Sequence, residues 1–414
     1  MKRLYGYGMT TTSGGNLSIM DSDGNIWISP GGVDKGTLTA RDIVKVCPDG
    51  KTEGIHSPSS ELPIHKSIYK LRPDVKAVLH AHPPALVAFS ISGRIPNVNL
   101  LPMAYEICGK IGFAPYEIPG SDELGNAVAK AFSEGVNATL LENHGTVTVG
   151  SNLLEAFTRF ETLDYLARIQ IKAEAIAPPQ PLDEKTIAGC YVAKPELPEF
   201  IPGEHSPHEC ELRAEMVKFI NRSYDQRLTF STGGTFAARI KDDSFLITPT
   251  GFDRMNALPG DLVLVQNGYR EAGVKNSRAA TYCREIFKHH DWIEAVIISK
   301  PPNVMAFGVS GMAPDTRTIP ESYIMLRDIP TVSCSDHYNT PGTIISMLSP
   351  ATPVILVKND CLVVAASSLL QAFDRLEVAE FSAQSLLSAI RIGGLKQITD
   401  KQTKDLIKAF SLPE

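Results

Sequence analysis

The strongest constraint on this chain is that its second half repeats the pattern of its first. Ser13-Gly14-Gly15-Asn16-Leu17-Ser18 returns as Thr232-Gly233-Gly234-Thr235-Phe236-Ala237, and Ser29-Pro30-Gly31-Gly32 as Thr248-Pro249-Thr250-Gly251. Asp42-Ile43-Val44-Lys45-Val46 returns as Asp261-Leu262-Val263-Leu264-Val265. Ala77-Val78-Leu79-His80-Ala81-His82-Pro83-Pro84 returns as Ala295-Val296-Ile297-Ile298-Ser299-Lys300-Pro301-Pro302, and Leu153-Leu154-Glu155-Ala156-Phe157 as Leu369-Leu370-Gln371-Ala372-Phe373. Self-similarity at this period means two copies of one fold. Apolar strand patterns alternating with helical ones make that fold α/β.

The first copy reads in order as a β-meander over 13–50, a helix over Ser60–Leu71, a second over Glu123–Phe132 and a long third over Leu153–Ala175. Prolines 178, 179, 181, 195, 198, 202 and 207 then mark a linker by composition. A further helix over Glu209–Asn221 precedes the second copy. The expected division is residues 1–176, a linker at 177–207, a second domain at 208–400 and a tail at 401–414. The second copy has about a helix's worth of residues before its Gly-Gly turn, whereas the first begins with only Met1-Lys2-Arg3-Leu4-Tyr5-Gly6-Tyr7-Gly8. We therefore expect an N-terminal helix to be truncated.

Chemistry concentrates in the first copy. In a strand the residues i and i+2 share a face, so His80 and His82 project together. His144 follows a second strand, Ala138–Leu141, and Glu61 opens the helix after Pro58-Ser59-Ser60. Three imidazole nitrogens and one carboxylate suit Zn²⁺. The repeat register sets Glu61 against Ala279, His80 against Ile298, His82 against Lys300 and His144 against Asp360. Ala and Ile offer no lone pair and a charged Lys offers none either. The second copy thus cannot hold the same ion, and the metal expectation is one zinc per chain, in the N-terminal domain. His65, four residues along the helix from Glu61, suits either a partner of the ligands or a packing role.

A formal charge of −6 gives no reason to expect nucleic acid or an anionic membrane as partner. No apolar run approaches the ~18–20 residues of a membrane helix. Seven cysteines without a Cys-x-x-Cys pair read as reduced thiols, so a cytoplasmic location is expected.

Several segments, in order and with matching spacings, resemble the class II aldolase/adducin family. They are Gly15-Asn16-Leu17-Ser18, Ser29-Pro30-Gly31-Gly32, Pro58-Ser59-Ser60-Glu61, His65, Arg72-Pro73-Asp74, His80-Ala81-His82-Pro83 and Asn143-His144-Gly145. The second copy resembles a degenerate member. The resemblance implies two tandem domains, each a mainly antiparallel sheet flanked by helices, with nine strands. It implies zinc on Glu61, His80, His82 and His144, and a phosphate pocket from Asn16, Gly31, Gly32, Ser59 and Ser60. Glycine turns expose N–H groups and a helix start favours an anion, in agreement with that pocket. Ser59 alone would serve equally as an N-cap. The aldolases carry Thr at Gly31, so one hydroxyl is absent from the grip.

By the same resemblance Glu61 is the catalytic acid/base, and the reaction is carbon–carbon cleavage of a phosphorylated ketose through a zinc-stabilised enediolate. Epimerase, dehydratase or decarboxylase chemistry on the same site is the alternative, as is a non-catalytic, adducin-like assembly role. The family's tyrosine proton donor aligns near Leu100, which cannot serve; nearby Tyr105, echoed by Tyr323, is equally a core residue. A homo-oligomer is expected, either a dimer mimicking a fourfold ring or a tetramer.

Overall fold

The computed structural model describes residues 1–191 and 196–413. Pro195 of the expected linker lies outside them. The chain divides into two compact units, one of residues 1–98 and 103–168, the other of 99–102 and 169–414.

The first unit is built on eight strands: β1 (Asn16–Met20), β2 (Ile26–Ile28), β3 (Val44–Val46), β4 (Thr52–Glu53), β5 (Ala77–Ala81), β6 (Ile111–Ala114), β7 (Ala138–Leu141) and β8 (Gly145–Gly150). Their order is β4-β3-β2-β1-β5-β8-β7-β6, and only β6 and β7 run parallel. The expected meander is therefore β1 to β4, with its third strand beginning at Val44 because Ala40–Asp42 forms a 3-10 turn. The expected helices run over Leu62–Leu71, Asp122–Ser133 and Leu153–Glu174. The first starts after Ser60 because Glu61 takes the N-cap and Pro63 fits the first turn, where no N–H is needed.

Central strand β5 sets the layers by alternation. Ala77, Leu79 and Ala81 pack with Ala156, Phe157 and Phe160 of the long helix. Val78 faces the other way, among Ile64, Ile68, Val128 and Phe132. His80 shares Val78's side, the side on which Glu61 opens its helix.

The second unit carries β9 (Glu199–Phe200), β10 (Thr235–Lys241), β11 (Ser244–Ile247), β12 (Val263–Gln266), β13 (Tyr269–Glu271), β14 (Ala295–Ser299), β15 (Thr331–Val332), β16 (Val354–Val357) and β17 (Cys361–Ala366). Its order, β15-β16-β17-β14-β10-β11-β12-β13-β9, is that of the first sheet with one strand added. Registers agree as well: Asn16 lies opposite His80, and Thr235 opposite Ile298. The implied count of nine strands holds for this sheet, whereas the first has eight among the described residues. The difference is β9, which comes from the proline-rich stretch and pairs in parallel with β13. That stretch is thus not a bare linker. It also holds a helix, Glu184–Gly189, capped by Asp183. Nor is the C-terminus a plain tail, since Asp400–Ala409 is helical with a Thr399 capping box. The helix before the second sheet runs over Pro207–Asp225, against Lys2–Gly6 before the first.

Arg159 and Arg375, which recur at equivalent places on the two long helices, act as pins. Arg159 donates to the carbonyls of Val149 and Ile107, and Arg375 to those of Ala365 and Met325. Each staples its long helix to the last strand of its own sheet.

Candidate metal centre

The four side chains singled out above converge. Ligand atoms of Glu61, His80, His82 and His144 all lie within 4.8 Å of one another. Glu61 Oε2 is 3.1 Å from His80 Nε2, and Oε1 is 3.1 Å from His144 Nε2. The Nε2 atoms of His80 and His82 face each other at 2.9 Å. The three imidazole centroids are 4.7, 4.9 and 5.1 Å apart.

Local structure explains each position. β5 ends at Ala81, so His82 leaves the sheet just beyond His80. His144 is delivered by the short turn between β7 and β8, where Asn143 takes the left-handed conformation (φ 53°) that Asn tolerates better than most residues. Asn359 does the same in the second unit (φ 60°). Gly145 follows because nothing larger fits: a Cβ there would lie 2.6 Å from His82 Cδ2 and 2.7 Å from the Ala81 carbonyl. Gly145→Ala is therefore expected to cost ~1–3 kcal/mol and to weaken metal binding, read by thermal denaturation with and without zinc.

The donor set fits a divalent ion. His80 Nδ1 is 3.1 Å from the Thr146 carbonyl and donates to it, which leaves the Nε2 lone pair facing the cluster. Burial pushes His82 down to about 3, so its imidazole is neutral and able to ligate. Buried His144 Nδ1 has no hydrogen-bond partner among the described residues. Burial alone would raise the Glu61 carboxyl, but His80 and His144 outweigh it and hold it well below the usual carboxylate range.

Behind these four side chains runs a buried chain of hydrogen bonds that the sequence pattern indicates only at His65. Asn16 Nδ2 donates to Glu61 Oε2 at 2.7 Å, and Asn16 Oδ1 meets His65 Nε2 at 2.5 Å. His65 Nδ1 meets Ser18 Oγ at 2.7 Å, which in turn meets the Tyr69 hydroxyl at 2.8 Å. Burial lowers His65 to about 3 and raises Tyr69, leaving both neutral. With a neutral ring, Nε2–H donates to Asn16 and Nδ1 accepts from Ser18. Asn16, expected at a phosphate, places its amide on the Glu61 carboxylate in this structure.

The remaining pocket residues lie together. Gly31 sits against Pro58, Ser59 and Ser60, where a Cβ would be 3.4 Å from the Pro58 carbonyl. Its N–H is taken by the Ser57 carbonyl at 3.2 Å. Gly32 and Ser60 are exposed, whereas buried Ser59 turns its hydroxyl to the Glu61 N–H at 3.3 Å. Beneath this loop is a residue that the sequence reading missed. Lys35 is 1% exposed and its ammonium donates to the Pro30 carbonyl. At the equivalent place Arg254 donates to the carbonyls of Gly233, Gly234, Pro249 and Phe252. A basic residue three positions after the turn glycine in both copies was the available signal.

The second unit places an ion pair where the first gathers its four side chains. Lys300 Nζ, in the register of His82, donates to Asp360 Oδ1 and to the Asp360 carbonyl, both at 2.6 Å. Ile298 joins the apolar core at the place of His80, beside Ala279 at the place of Glu61.

Comparison with known proteins agrees with this division. The profile described as Class II Aldolase and Adducin N-terminal domain matches residues 1–171 and again 214–387. A 5-deoxy-D-ribulose 1-phosphate aldolase from Bacillus thuringiensis is 33% identical over 44% of this chain and 86% of its own. A 3-oxo-tetronate 4-phosphate decarboxylase from Pectobacterium atrosepticum is 35% identical over 39% of this chain and 76% of its own. An L-fuculose phosphate aldolase from Escherichia coli is 35% identical over 44% of this chain and 84% of its own.

Proposed function

Because the chain belongs to the class II aldolase and adducin family, we propose that its first unit is a zinc-dependent lyase. The reaction is cleavage of a carbon–carbon bond in a phosphorylated ketose. The observation that carries this reading is the convergence of Glu61, His80, His82 and His144 within reach of one ion. Zinc, when bound, supplies a Lewis-acid charge for a carbonyl oxygen.

The chain's own residues supply the rest. His80, His82 and His144 bind the ion as neutral donors, and His80 is held in the correct tautomer by Thr146. Glu61 is the member of the cluster that can both ligate and carry a proton, so it is assigned as the acid/base. Asn16 orients its carboxylate, and the His65–Ser18–Tyr69 chain keeps Asn16 from turning. Gly31, Gly32, Ser59 and Ser60 are assigned to the substrate phosphate, with the exposed Gly32 and Ser60 making the contact. Assembly into a homo-oligomer, a dimer or tetramer, belongs to the same proposal and rests on the family resemblance alone. Among the described residues no helix is long and apolar enough to cross a membrane.

A second reading has specific support, because a decarboxylase is as similar to this chain as the aldolases are. Both reactions leave a carbanion next to a carbonyl and place the same demand on the site. The test is product analysis of the zinc-loaded chain with L-fuculose 1-phosphate, 5-deoxy-D-ribulose 1-phosphate and 3-oxo-tetronate 4-phosphate. Aldehyde release establishes the lyase as proposed, and carbon dioxide release selects the decarboxylase. Full activity after complete removal of the metal would end both.

A further inference from the structure

Seven free cysteines are spread over the chain, and two of them meet. Cys190 ends the helix Glu184–Gly189 of the proline-rich stretch, and Cys334 begins the helix Cys334–Asn339. Their Sγ atoms are 3.2 Å apart, and both side chains are buried. This is the one close pair among the cysteines of the described residues. A disulfide needs the sulfurs at ~2.05 Å, about 1.2 Å nearer than they stand here.

We propose that Cys190 and Cys334 form an oxidisable dithiol, a modification site in the second unit that takes a peroxide as its co-reactant. The two thiols are unequal, which gives the reaction an order. Either thiol can donate in the hydrogen bond between them, and with Cys334 as the donor the Cys190 thiolate is stabilised. Burial and Asp360 oppose that, while Lys300 and Arg278 favour it, so Cys190 is held below the ordinary thiol range and Cys334 above it. Arg278 is kept nearby by stacking over the Tyr191 ring at 4.6 Å. Cys190 is therefore the attacking sulfur.

Its thiolate displaces hydroxide from hydrogen peroxide, the O–O bond breaks, and a sulfenic acid forms on Cys190. Cys334 then attacks that sulfur as the S–O bond breaks, and its proton leaves with the departing hydroxide as water. Two thiols lose two electrons and two protons, and one peroxide becomes two waters. By contrast, burial pushes Cys108 and Cys283 up to about 12 and raises Cys361 as well, which keeps them inert. The bond would tie the helix that follows the first unit to the second sheet's own helices, beside the Lys300–Asp360 pair. This reading is independent of the metal centre.

The experiment uses the full chain, treated with hydrogen peroxide, then denatured, alkylated and mapped by mass spectrometry. The expected result is a loss of about 2 Da, two fewer alkylated thiols out of seven, and one linked peptide pair containing Cys190 and Cys334, all reversed by dithiothreitol. C210S should behave as the unaltered protein, since Cys210 is exposed and stands alone. C190S and C334S should each lose the linked pair. The proposal is overturned if Cys190 and Cys334 are both recovered as alkylated thiols at a peroxide dose that oxidises Cys210. It is equally overturned if Cys190 passes to sulfinic acid with Cys334 still free.

Discussion

Replacing His82 with alanine is expected to reduce bound zinc from about one equivalent per chain to a trace, and to take lyase turnover with it. The expectation follows from position. His82 lies beyond the end of β5, outside the hydrogen-bonded ladder, so its loss leaves no gap in the sheet. It contributes one of three nitrogens, and the remaining His80, His144 and Glu61 cannot complete a tetrahedral shell alone. Metal analysis and turnover are both measured on the same preparation, with circular dichroism to verify the fold. A folded His82→Ala protein that binds zinc with unchanged affinity would show that His82 does not share the ion with His80, His144 and Glu61.

Lys300→Met is expected to be the most destabilising single change in the second unit, at ~3–5 kcal/mol, because it strands the Asp360 carboxylate in a dry site. Burial by itself would lower Lys300 and raise Asp360. Their mutual attraction wins, holding the ammonium above its usual range and the carboxyl below. The signs fix a pH window. Asp360's share is complete above its ordinary value of 3.8 and is lost as pH falls through its depressed native value. Lys300's share is complete below 10.5 and is lost as pH rises through its raised native value. In the variant burial leaves the Asp360 carboxyl above its ordinary value of 3.8, so the cost of Lys300→Met should grow as pH rises from 3.8 through that raised value and be constant beyond it. Hydrogen exchange of β14 and β17 in the full chain reads it locally. The double change Lys300→Met with Asp360→Leu should recover most of the loss, since an apolar pair of similar volume is often neutral or better. Failure of that rescue would mean the pair does more than neutralise itself.

Much of the fold was legible because the repeat constrains it twice. Each strand of the first sheet has a counterpart in the second, so the patterns of Ala77–Ala81 and Ala295–Ser299 support one another. The convergence of the candidate cluster was legible for a local reason: His80 and His82 are two residues apart at a strand's end, and His144 and Glu61 sit at element boundaries. What could not be read depends on contacts across the chain. Asn16 meets Glu61 only because β1 pairs with β5 in one register, and Ser18 reaches His65 and Tyr69 for the same reason. Lys35 and Arg254 look like surface residues until the loops close over them. Composition misled at 177–207, where prolines signal a tether and do not announce that Glu199–Phe200 will find a sheet edge.

That two-residue strand bears on how a tandem chain avoids misfolding. Two like sheets on one polypeptide meet at high effective concentration during folding, and their open margins are the natural place for sister copies to pair wrongly. β9 occupies the outer side of β13, with Glu199 fixed to Arg270 at 2.7 Å. By filling that margin from the adjoining stretch of the same chain, the protein removes one route by which its halves could exchange strands or recruit a neighbouring molecule.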